Sequence, residues 1–190
     1  MAIEYTNRKG QTYYLHQKAN ASGNLTFHFS LQRPDEPVDA IPSGYEIYES
    51  PNGLAFMRKI RPKVIADNEV RLVSEELQRH RHLKHCRVDV KGKTITVYTP
   101  NQDIDAITAL VTGVAGKARV DMQSLLGRTI TYSAEMRFVL ADDEKRLFVL
   151  ERYCYLGSID GWIDVAELAV LPKLVKYLKH LGKESFFELS

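Results

Sequence analysis

Between Ile130 and Leu140 the apolar residues Ile130, Tyr132, Ala134, Met136, Phe138 and Leu140 alternate with Thr129, Thr131, Ser133, Glu135 and Arg137. Successive side chains of a strand point to opposite faces, so this period of two demands a β-strand buried on one side; a helix would repeat its apolar residues every three to four positions. The charged residues Asp142, Asp143, Glu144, Lys145 and Arg146 then read as a turn. Residues 147–155, rich in β-branched, aromatic and aliphatic side chains, read as the returning strand of a long antiparallel hairpin. A five-residue loop sets Ala141 opposite Leu147, Phe138 opposite Leu150 and Arg137 opposite Glu151, the last an ion pair across the ladder. The returning strand is apolar almost throughout as far as Leu150, which suits a place inside a sheet or beneath a helix.

The rest of the chain must cover this hairpin. Residues 11–16 and 24–30 alternate in the same way, with Tyr13, Leu15, Leu25, Phe27 and Phe29 on one face and Tyr14, His16, Thr26 and His28 on the other. A proline-containing loop follows, and then two strands, 45–49 and 54–59, flank a Ser-Pro-Asn-Gly turn closed by Gly53. Residues 3–60 thus read as a four-stranded meander with few aliphatic core residues, and Arg61, Pro62 and Lys63 mark the boundary between a small β module at 1–62 and an α+β domain at 63–190. Asp67 is placed to cap a helix that carries Val70, Val73 and Leu77 and ends near His82 or Leu83. Strands at 87–90 and 94–98 come next. Thr99 and Pro100 match the start of a second helix bearing Ile104, Ile107, Leu110, Val111 and Val114, weakened at its end by Gly113 and Gly116, and residues 117–127 lead back to the hairpin. Residues 157–162 read as a tight corner anchored by a buried Trp162. Asp164 with Glu167 suggests a capped short helix, and Pro172 opens another that Gly182 ends. Phe186, Phe187 and Leu189 are too apolar to hang free, so the carboxyl-terminal stretch is expected to dock on the sheet. The fold class is α+β: an amino-terminal antiparallel β-meander, then an antiparallel sheet with helices on one face.

The 26 Lys and Arg against 24 Asp and Glu leave a net charge of only +2, too little to bind nucleic acid or an acidic membrane without a local patch. Cys86 and Cys154 have no C-x-x-C spacing and fit reduced thiols, and no run is long and apolar enough to span a bilayer. These features point to a cytoplasmic protein with no membrane association.

The segments Arg8-Lys9-Gly10, Tyr13-Tyr14-Leu15-His16, Ile41-Pro42-Ser43-Gly44-Tyr45-Glu46-Ile47-Tyr48-Glu49 with Pro51-Asn52-Gly53, and Leu156-Gly157-Ser158-Ile159-Asp160-Gly161-Trp162 together resemble a family of uncharacterised bacterial proteins. The resemblance implies a soluble bacterial protein and carries no catalytic or binding residue across.

Three groups of residues could carry function. His80, His82, His85 and Cys86 are of metal-ligating types, but their spacings lack the i, i+4 pair that aims two imidazoles at one ion, so no metal and no cofactor is expected. Arg79, Arg81, Lys84 and Arg87 could meet phosphates of a nucleic acid or another anionic ligand, or could serve only to complement the carboxyl end of a helix. Tyr14, His16 and His28 offer flat rings on one sheet face for a base or a peptide. Glu135, Glu151, Asp160 and Asp164 supply carboxylates near the hairpin, yet no nucleophile elbow, P-loop, dinucleotide fingerprint or H-E-x-x-H is present. With 10 tyrosines and no catalytic motif, the leading expectation is a non-enzymatic protein-interaction or accessory module with a protein partner. Binding of nucleic acid or an anion through the basic cluster is the alternative, and a metal-dependent or carboxylate enzyme a further one.

Overall fold

The computed structural model describes residues 2–115, 122–156 and 158–189. Three strands open the chain, β1 (Glu4–Thr6), β2 (Thr12–Ala19) and β3 (Leu25–Ser30), paired antiparallel in sequence order. Their ladder sets Leu15 opposite Phe29 and His16 opposite His28, the two faces that the alternation requires. β4 (Tyr45–Glu49) and β5 (Ala55–Lys59) form a separate two-stranded sheet rather than the second half of a four-stranded meander. The loop at residues 31–44, rich in proline, breaks the pairing between them. The two sheets are tied by buried Asn7, whose amide donates to the Gly53 carbonyl at 2.6 Å and to Gln11 Oε1 at 3.1 Å, while its Oδ1 accepts from the backbone N–H groups of Lys9 and Gln11. Gly53 has φ of +82°, the left-handed conformation that the turn assigns to glycine.

Helix α1 (Asp67–Arg79) takes in Asp67 as its first residue, so the cap lies one position earlier than the sequence suggests: Ala66 is the capping residue, and its N–H donates to Glu69 Oε2 at 2.8 Å. The helix also ends early. His80 is extended, and residues Arg81–Leu83 form a single 3-10 turn. β6 (Arg87–Lys91) and β7 (Thr94–Pro100) follow, so Thr99 and Pro100 belong to a strand, and the cap of α2 (Ile104–Ala115) is Asp103, whose Oδ1 accepts the Ala106 N–H at 2.9 Å. Ile104 is buried and Leu110 exposed. A helix that the spacing does not announce, α3 (Met122–Thr129), precedes the central hairpin. Gly116, residues 117–121 and Gly157, together with the Val114 side chain, lie outside the described residues.

The hairpin is β8 (Tyr132–Asp142) with β9 (Leu147–Leu156), and Arg137 faces Glu151 and Phe138 faces Leu150 as the register demands. Ala141 does not face Leu147; Asp142 does, because a bulge after Leu140 absorbs one residue. β10 (Ile159–Val170) occupies the stretch that reads as a corner and a capped helix. Pairing β10 to β9 satisfies a ladder edge that would otherwise stay bare, which outweighs the helical spacing of Asp164 and Glu167. The sheet order is β10-β9-β8-β7-β6, all antiparallel. On its inner face Met136, Phe138, Leu140, Phe148, Leu150, Ile95 and Val97 pack with Val73 and Leu77 of α1 and with Leu174, Leu178 and Leu181 of the carboxyl-terminal segment. That segment is a four-residue α4 (Leu171–Leu174) with Pro172 in its first turn, then 3-10 turns at Val175–His180 and Glu184–Phe186. The fold class is therefore α+β, with helices on the five-stranded sheet.

The chain divides into two compact units, Met1–Arg61 with Gln102–Thr131, and Pro62–Asn101 with Tyr132–Ser190. Within the first, Gln102 closes the base of its second segment: Gln102 Oε1 accepts the Thr131 N–H and Nε2 donates to Thr131 Oγ1, each at 3.0 Å. No helix among the described residues is long and apolar enough to cross a membrane.

Candidate functional site

In the first unit, β2 and β3 do bring Tyr14, His16 and His28 onto one face. The two imidazoles stack with centroids 5.2 Å apart, His16 Nε2 donates to the Gln32 carbonyl at 2.8 Å, and the Arg33 guanidinium lies 5.6 Å from the Tyr14 centroid. A hollow of about 410 Å³ in the same unit is lined by Lys9, Gly10, Gln11 and Arg128, with no apolar side chain among the described residues to hold an organic ligand.

The basic cluster is distributed over three elements because α1 stops at Arg79. Arg79 pairs with Glu76 at 2.8 Å, Arg81 lies in the 3-10 turn, Lys84 follows it, and Arg87 opens β6. Arg87 is half-buried with its guanidinium 4.7 Å above the Tyr132 ring, and its Nε has no hydrogen-bond partner among the described residues. His80 reaches Glu76 Oε1 at 3.3 Å, and no group of His, Cys, Asp and Glu among the described residues converges as a metal site would require. Burial pushes the Cys86 thiol up to about 12, so it is protonated at neutral pH and a poor metal ligand.

Two further arrangements stand out in the second unit. On the sheet face opposite the buried Phe138 and Leu150, Arg137 makes a bidentate pair with Glu151 at 2.5 and 3.1 Å and holds its guanidinium 4.3 Å from the Trp162 ring. Trp162 is half-buried in the middle of β10's pairing with β9, not enclosed at a corner, and meets Tyr153 edge-on at 5.2 Å. The Tyr153 hydroxyl donates to Asp160, and Tyr155, two residues along the same face, is 83% exposed.

The second arrangement is a cleft of about 270 Å³ whose walls include Leu83, Cys86, Pro100, Leu181, Phe186 and Phe187, with His82, Lys183 and Glu135 among its polar residues. Strict alternation would put Glu135 on the opposite face beside Arg137. Between the pairs Val97–Met136 and Tyr98–Ala134 the β7–β8 register slips, leaving Glu135 as the extra residue of a bulge, and it turns into the cleft. Half-buried there, it has no hydrogen-bond or ion-pair partner among the described residues, and burial raises its pKa. Burial, with the nearby Lys183 ammonium, lowers that of His82. The sequence shows Glu135 as a carboxylate near the hairpin, but no residue in its neighbourhood signals the bulge that re-aims it.

No family model, curated protein or solved structure matches this chain.

Proposed function

We propose that the protein is a non-catalytic interaction module of the bacterial cytoplasm that binds a protein partner through the β8–β10 face carrying Arg137, Tyr153, Tyr155 and Trp162. One observation carries this reading: a large aromatic side chain, Tyr155, stands 83% exposed beside the Tyr153–Trp162 pair and an arginine fixed by Glu151. Tyr, Trp and Arg are the residue types that supply most binding energy in protein interfaces, and here three of the four are already ordered before a partner arrives, which lowers the entropy cost of association. Carboxylates do lie on this face, with Asp164 opposite Glu151 across the β9–β10 ladder, but Glu151 is already engaged by Arg137 in a bidentate ion pair.

The test is affinity capture from the native cells with wild type and with Tyr155→Ser, whose exposed position leaves folding intact. A stoichiometric partner held by the wild type and released by the variant, at unchanged thermal stability, is the expected result. A partner retained equally by both, or none retained, removes this surface from consideration. The alternative, anion binding by Arg79, Arg81, Lys84 and Arg87, is measured separately by low-salt titration against single- and double-stranded DNA and RNA. If it operates, replacing all four by glutamine flattens the salt dependence by a slope of roughly 0.9 for each duplex phosphate no longer neutralised.

A further inference from the structure

We propose that the cleft beside the β8 bulge binds a small alkylammonium ion, its charged head against the Glu135 carboxylate and its apolar tail against Leu83, Leu181 and Phe186. This site is separate from the protein-binding face and does not depend on it.

A carboxylate drawn out of water loses hydration, and folded proteins ordinarily restore the loss with a cation or with N–H donors. Elsewhere in the same unit the carboxylates do find such partners, as in Glu69 with Arg146 and Glu151 with Arg137. Glu135 has none among the described residues, although Lys183 lines the same cleft and could have supplied one. The bulge that turns it inward disrupts the ladder at that point, and bulges of this kind recur where a side chain must be re-aimed at a ligand.

The walls define the rest of the ligand. Leu83, Leu181 and Phe186 are almost fully buried and give an apolar floor, whereas Phe187 is 74% exposed and stands edge-to-face with Phe186 at 5.6 Å. An ammonium group near such rings gains attraction from their faces in addition to the ion pair. Of the other titratable groups in the cleft, the Cys86 thiol is protonated and adds no second anion. Burial and the Lys183 ammonium push the His82 pKa down and so disfavour a second cation there, and Lys183 itself is the one fixed cation of the lining among the described residues. A volume of about 270 Å³ lies just under the range of ordinary ligand pockets, which fits a short amine rather than a nucleotide or a cofactor.

A matched series of probes isolates the charge. Backbone amide NMR spectra of the intact, isotopically labelled protein are recorded during titration with n-butylammonium, n-butanol and n-butyrate at constant ionic strength. The expected result is a saturable shift at Thr99, Glu135 and residues 181–187 with n-butylammonium, and binding weaker by roughly tenfold or more for the neutral and anionic probes. Glu135→Gln keeps the volume, removes the charge and weakens n-butylammonium by a similar factor. Glu135→Asp retracts the carboxylate by one methylene and falls between, and it serves as the second variant should the first not fold. Absence of a saturable shift with n-butylammonium, equal binding of n-butyrate, or unchanged affinity in both variants overturns the proposal.

Discussion

Glu49, at the end of β4, gathers the Tyr5 hydroxyl at 2.7 Å, the Arg8 guanidinium and the Arg8 backbone N–H on one carboxylate. Burial by itself would raise its pKa, but the Tyr5 and Arg8 bonds more than offset that, and the folded value lies below the ordinary 4.5. A carboxyl whose folded pKa is depressed adds stability that is fully present above the unfolded value and is lost as pH falls through the folded one. Denaturant titrations of the wild type should therefore show the midpoint dropping below about pH 4.5, and Glu49→Gln should flatten that dependence while lowering stability near neutrality; parallel curves for the two proteins would contradict the role. Neither Glu49 nor Asn7 is legible in the sequence as a tie. Each reads as an ordinary turn or strand-end residue, and its decisive partners lie 41 to 46 positions away. The Arg137–Glu151 pair is legible because a single hairpin carries both residues.

Among elements, the hairpins are readable wherever alternation is uninterrupted, and the misreadings cluster where tertiary pairing overrides local spacing. Residues 164–170 carry a capping-box pattern yet extend β10, since β9 offers them a full ladder, and Thr99 with Pro100 extends β7 for the same reason. The docking of the carboxyl-terminal segment follows from its apolar residues, but its fastening does not. Arg152, 7% exposed on the inner face of β9, donates to the carbonyls of Leu189 at 2.7 Å and Phe187 at 3.1 Å and sets its guanidinium 5.7 Å from the Phe186 ring. A charge at a position that alternation marks as core is costly unless its donors are met, and backbone carbonyls meet them here. Arg152→Met preserves the stem and removes the donors, so it should lower unfolding free energy by about 2 kcal/mol and raise hydrogen exchange at residues 186–189. An unchanged exchange pattern would show that apolar packing alone holds the segment.

For the whole molecule, the governing fact is that the chain leaves the larger sheet after β7 and returns at β8, which are neighbours in it; Pro100 sits directly opposite Tyr132. Everything from Gln102 to Thr131 belongs to the other unit, and Gln102 with Thr131 latches its two ends together. The chain passes between the units after Arg61, after Asn101 and after Thr131. Seen as a path, the stretch is a hairpin turn that has grown to hold part of another body. Shortening it to a turn of about four residues should leave the five-stranded sheet able to form and lower the loop-closure cost by about 2 kcal/mol, with a single cooperative transition and the chemical shifts of β6–β10 retained as the readout. The same adjacency makes this junction a natural socket: a foreign domain whose ends lie one ladder spacing apart could be seated between Pro100 and Tyr132 without breaking a rung.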